Sequence, residues 1–134
     1  MRKIMIAATV LGLAATLMWA QPGFSAAGPE VKRTVLKQQD TPDGKYQNSL
    51  VMVEIPVGGR EGRHTHPGPL IVHVVEGTLT LEYEGKPTTP YKAGETFVVE
   101  TGKVHQGINM GTAPIKAIAS FVTEKGKPLT TQTE

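Results

Sequence analysis

The chain has 134 residues, with 14 Lys plus Arg against 12 Asp plus Glu, four histidines and no cysteine. This length suits one domain, and the lack of cysteine excludes both a disulfide framework and a lipidated cysteine. The small basic excess lies in the first few residues, so charge gives no case for nucleic-acid binding.

The N-terminal stretch "MRKIMIAATVLGLAATLMWAQPGFSAAGPE" begins with Arg2 and Lys3 and continues as an uncharged apolar run from Ile4 to Ala20. Pro22 and Gly23 break the run, and Ser25, Ala26 and Ala27 give a small-residue cleavage site. We therefore expect a signal peptide over 1–27, one domain over 28–134, and a periplasmic or secreted protein with no membrane anchor after cleavage. The competing expectation, an uncleaved anchor, needs about 20 apolar residues, and this run is shorter. Without residues 1–27 the chain has 12 basic and 12 acidic side chains, a net charge of zero. A domain of this size removes roughly two-thirds of its unfolded surface from water. With no disulfide to assist, that core must suffice, or a metal or partner subunit must help.

Short runs rich in Val, Ile, Thr, Tyr and Phe follow in order. They are "SLVMVEI" (49–55), "LIVHVV" (70–75), "TLTLEY" (78–83), "TFVVE" (96–100) and "IKAIASFV" (115–122). Several alternate apolar and polar residues, as half-buried strands do. Turn signals such as Pro42-Asp43-Gly44, Gly58-Gly59, Pro67-Gly68-Pro69 and Glu76-Gly77 separate them. No stretch after residue 28 keeps a helical period. The pattern predicts an all-β sandwich or small barrel.

Three of the histidines, His64, His66 and His73, fall in "GRHTHPGPLIVHVVEG", and the fourth, His105, lies in "TGKVHQGIN". On an extended strand, side chains two apart leave the same face about 6.6 Å apart along the chain. His64 and His66 would then converge on one point, as a first-row metal requires. Taken alone, the pair is equally well read as two surface histidines beside a Pro-Gly turn.

The surrounding spacing resembles the cupin superfamily. Gly58, His64 and His66 match its first motif, and Gly94, Gly102, His105 and Asn109 match its second, across residues 47 to 123. The resemblance implies a single cupin barrel, a double-stranded β-helix or jelly roll, with His64, His66 and His105 as ligands of a divalent metal. Fe(II) is favoured, with Mn, Ni, Cu or Zn as alternatives. The same three residues are the ones that would be costly to bury without polar partners.

Two positions depart from the motifs. Leu70 and Ile71 stand where the first motif has an acid, and Glu100 stands where the second has Pro. We expect Leu70 to face the metal and keep a coordination position free. His73 has the opposite strand parity from Leu70, so it would serve as a ligand only if a bulge reversed that parity. Glu100, at a strand-to-turn junction, reads as a solvated acid. Met52, Glu54, Phe97, Val99 and Phe121, with Leu70, are the expected pocket-lining residues.

Three functions fit this sequence. One is an exported dioxygenase-like metalloenzyme acting on a small chelating substrate; no catalytic base is evident, so the metal would do most of the work. Another is a non-catalytic metal- or small-ligand-binding or sensing protein of the cell envelope. The third is a structural module whose histidines are a fossil site. Cupin barrels often pair through an edge strand, and "VKRTVLK" (31–37) is the expected edge or exchange strand, so the resemblance further implies a homodimer.

Overall fold

The protein is described here by a computed structural model, which covers residues 28–134. The expected signal peptide and its cleavage point lie outside the described residues.

Ten strands follow one another among the described residues. They are β1 (Lys32–Asp40), β2 (Tyr46–Ile55), β3 (His64–Thr65), β4 (Leu70–Glu76), β5 (Thr78–Tyr83), β6 (Thr89–Lys92), β7 (Thr96–Val99), β8 (His105–Ile108), β9 (Ile115–Glu124) and β10 (Thr131–Gln132). They form two five-stranded sheets, ordered β1-β2-β9-β4-β7 and β10-β3-β8-β5-β6. Every strand pairing is antiparallel. No helix occurs among the described residues. The five runs recognised in the sequence are β2, β4, β5, β7 and β9, and the expected edge strand "VKRTVLK" falls largely within β1. The strands without a sequence signal are short: β3 and β10 have two residues each, and β6 and β8 have four.

Alternation decides which side chains enter the core. In β9, Ile115, Ala117, Ala119 and Phe121 are buried, while Lys116, Ile118, Ser120 and Val122 face outward. In β4, Leu70, Val72 and Val74 are buried, and Ile71, His73 and Val75 are exposed. The register aligns these rows: Leu70 pairs with Phe121 and Val99, and Val72 with Ala119 and Phe97.

The interior is packed at one end and hollow at the other. Ile55, Ile115 and Val74 are each 0% exposed, and Ile55 pairs with Ile115 across β2 and β9. Burying an aliphatic side chain this fully stabilises the fold by about 1.5–3 kcal/mol. Further along β9, the small side chains of Ala117 and Ala119 leave space that a larger residue would fill, and both border a cavity. Pro67-Gly68-Pro69 crosses close to β9, where a Cβ on Gly68 would collide with the Val122 carbonyl oxygen. That approach carries the chain from His66 directly into β4.

Candidate metal centre

His64 lies on β3 and His105 on β8, and the two are direct cross-strand partners. His66 follows β3 by one residue and is turned to the same side, with the less buried Thr65 between them. All three imidazoles are buried, at 2%, 4% and 4% exposure. One ligating atom from each lies within 4.8 Å of the others.

The opposite edge of each ring is tied down by a backbone carbonyl. His64 Nδ1 meets Gly62 O at 2.7 Å, His66 Nδ1 meets Leu129 O at 2.7 Å, and His105 Nδ1 meets Lys103 O at 2.9 Å. A carbonyl oxygen can only accept, so each Nδ1 must donate. In a neutral ring the proton is then on Nδ1, and Nε2 carries a bare lone pair. His64 Nε2 and His66 Nε2 stand 3.1 Å apart. Two acceptors at that distance repel each other unless a cation or a shared proton lies between them.

Burial favours the neutral form of two of the rings, His66 and His105. Desolvation is the largest cause lowering the His66 pKa to about 4; the charges of His64, His105 and Arg33 add to it, and the Leu129 carbonyl partly opposes it. Desolvation also lowers the pKa of His105, against the Lys103 carbonyl and the nearby Glu61. Neutral imidazoles with carbonyl-fixed tautomers are what a divalent first-row metal takes as ligands. The donor set therefore fits such an ion.

The histidines form one wall of a cavity of about 110 Å³ whose other walls are mostly apolar, among them Val51, Val53, Leu70, Phe97 and Phe121. The Phe121 ring meets His66 edge-on at 4.9 Å between centroids. Leu70, 4% exposed, borders the cavity. Val99 is buried in the core beside Leu70 but is not on the cavity wall.

Met52 and Glu54 require a correction. They face away from the cavity, and their neighbours Val51 and Val53 line it instead. Both faces of "SLVMVEI" carry apolar residues, so alternation alone does not say which face is inward. Glu54 pairs with Lys32 at 3.2 Å on the surface. His73 lies on the outer face of β4, where its Nδ1 is 2.9 Å from Thr96 Oγ1, and it does not join the cluster. Glu100 is exposed and is 3.5 Å from Lys86. Asn109 is buried and braces the backbone, its Nδ2 donating to Ile55 O and Ala113 O at 3.0 and 2.9 Å.

Two charged residues of the cavity carry no signal in the sequence. Glu61 accepts from the Gly107 N–H at 3.0 Å through Oε2 and from Arg33 Nη2 at 3.1 Å through Oε1. A Cβ on residue 107 would lie 2.8 Å from Oε2, so glycine makes room for the carboxylate. Glu61 stands in a connection between strands and Arg33 on an edge strand, so neither periodicity nor motif spacing marks them.

The geometry defines a class, a two-sheet β-barrel with a buried three-histidine cluster at its hollow end. A family model described as the Cupin domain matches residues 51–121, and the chain belongs to the cupin family. It is 36% identical over 78 residues to an auxin-binding protein, ABP20, from Prunus persica, a match covering 54% of this chain and 36% of that protein. It is 34% identical over 83 residues to germin-like protein subfamily 1 member 10 from Arabidopsis thaliana, covering 57% and 37%. The match thus spans little more than a third of the length of these relatives. Among solved structures, a cupin-like protein from Thermotoga maritima superposes with a TM-score of 0.64 at 22% identity, covering 77% of this chain and 75% of that one.

Proposed function

We propose that this is an exported, single-barrel cupin that holds a divalent metal, preferably Fe(II), through His64, His66 and His105, and acts as a dioxygenase-like enzyme on a small chelating substrate. The observation that carries this reading is the set of three buried histidines, each with Nδ1 committed to a carbonyl, two of which face each other through Nε2 at 3.1 Å. When bound, the metal supplies Lewis-acid polarisation of a chelating donor and, as Fe(II), electrons for reaction with dioxygen.

The protein's own residues prepare the site. Gly62 O, Leu129 O and Lys103 O hold the ring orientations. Three neutral ligands leave the ion's positive charge uncompensated, so an anionic donor such as an enolate, catecholate or thiolate is favoured as the next ligand. Leu70, Phe97 and Phe121 keep water from the remaining space and accept the apolar part of such a molecule. The free edge of β1 supports a homodimer as part of this proposal, and light scattering would measure it.

The test is oxygen uptake by Fe(II)-loaded protein with catechols, 1,3-diketones and thiols. Uptake that depends on substrate and is lost in His105→Ala supports the enzyme. The second reading, a non-catalytic ligand carrier or sensor, is favoured by the apolar cavity and the naming of one relative as auxin-binding. Ligand binding without oxygen uptake would select it.

A further inference from the structure

Among the described residues lining the cavity, Arg33 is the only lysine or arginine. It projects from edge strand β1, and its side chain is 40% exposed, so it borders both the cavity and solvent. Its side chain makes one hydrogen bond among the described residues, from Nη2 to Glu61 Oε1 at 3.1 Å. A guanidinium has five N–H donors in a planar fork, so most of its capacity is uncommitted. Glu61, by contrast, does not depend on Arg33 for its place. Its Oε2 accepts from the Gly107 N–H, and its own N–H donates to Gly107 O at 3.0 Å.

We propose that Arg33 is the anion-recognising residue of this cavity, and that the ligand is a small monoanion, a carboxylate on an apolar body. The carboxylate would dock on the uncommitted donors of Arg33, with the apolar body among Leu70, Phe97 and Phe121. Glu61 holds the guanidinium at the mouth and at the same time opposes the incoming charge, so it sets a threshold on affinity. This rests on the reading of the cavity as the ligand site, and it narrows the substrate class without requiring the metal to be the anchor.

The opposing roles of the pair give the test. Benzoate and its neutral counterpart benzamide are titrated calorimetrically into the protein as purified and again after chelator treatment, so that a metal anchor cannot mimic Arg33. Wild type should prefer benzoate in both states. Arg33→Gln should weaken benzoate about tenfold and leave benzamide unchanged, the loss expected for one charge-assisted hydrogen-bonded contact. Glu61→Gln keeps an acceptor for the Gly107 N–H and should tighten benzoate. If the pair were only a clasp for β1, both substitutions would weaken both probes alike, and that result overturns the proposal. So does a wild-type protein that binds neither probe or does not prefer benzoate, which needs no variant to establish. Failure of the metal reading would appear separately, as absent metal uptake with the benzoate preference intact after chelation.

Discussion

His64 Nε2 and His66 Nε2 face each other at 3.1 Å, while the Nδ1 atoms of the same rings are held by Gly62 O and Leu129 O. Two residues apart on nearly extended chain, they bring two lone pairs to one point, and cross-strand pairing of His64 with His105 adds the third ring. The arrangement is unfavourable for bare neutral rings and favourable around a cation.

Acid should destabilise the metal-free protein in a definable window. The ordinary His66 pKa is 6.5, and burial lowers it to about 4 in the fold. Between those values the unfolded chain binds more protons than the folded one, so stability falls as pH falls. His105 shifts in the same direction. Melting temperature should be level above about pH 6.5, decline towards pH 4, and decline less in His66→Gln. A wild-type curve that is flat across this window, or an equal decline in the variant, contradicts the assigned neutral state.

Leu70→Glu would place a carboxylate on the cavity wall, at a position now 4% exposed. In metal-free protein it should cost about 1–3 kcal/mol as a buried polar group without a partner. With a divalent metal present, melting should recover part of that loss, metal affinity should rise, and chelating ligands should bind more weakly. Equal melting of the variant with and without metal would show that residue 70 does not face the ion.

His73→Ala should change stability by less than about 0.5 kcal/mol, as surface substitutions usually do, and metal content should match wild type. His73 is on the outer face of β4, 2.9 Å from Thr96 Oγ1. Loss of metal in this variant would mean that the chain binds metal through a different set of residues.

Much of the architecture is legible in short runs rich in Val, Ile, Thr, Tyr and Phe, several with period-2 alternation, which mark β2, β4, β5, β7 and β9. Alternation fails where a strand is too short to show a period, as in β3 and β10, and where both faces are apolar, as in "SLVMVEI", so the inward side of β2 is read as Met52 and Glu54 instead of Val51 and Val53. The histidine cluster is legible because motif spacing encodes it. The partners that set its tautomers are not, since they are backbone carbonyls, one of them Leu129 O, distant in sequence from His66. Glu61 and Arg33 meet only through tertiary folding, and no local pattern marks such a pair.

Export makes a separate prediction. On the proposed export, protein recovered from the cell envelope should lack residues 1–27 by intact mass, since the charged start, the apolar run and Ser25-Ala26-Ala27 have the pattern of a cleavable leader. Full-length protein in the membrane fraction would show that the segment is retained as an anchor.

The central claim is that His64, His66 and His105 bind a divalent metal, and elemental analysis of wild type and His105→Ala, purified alike from the native compartment, tests it most directly. Wild type should carry about one metal ion per chain. The variant should lose most of it, together with the added thermal stability that bound metal gives by linkage. A metal-free wild type that takes up no Fe(II), Mn(II) or Zn(II) on titration, or a variant that retains its full complement, would contradict it.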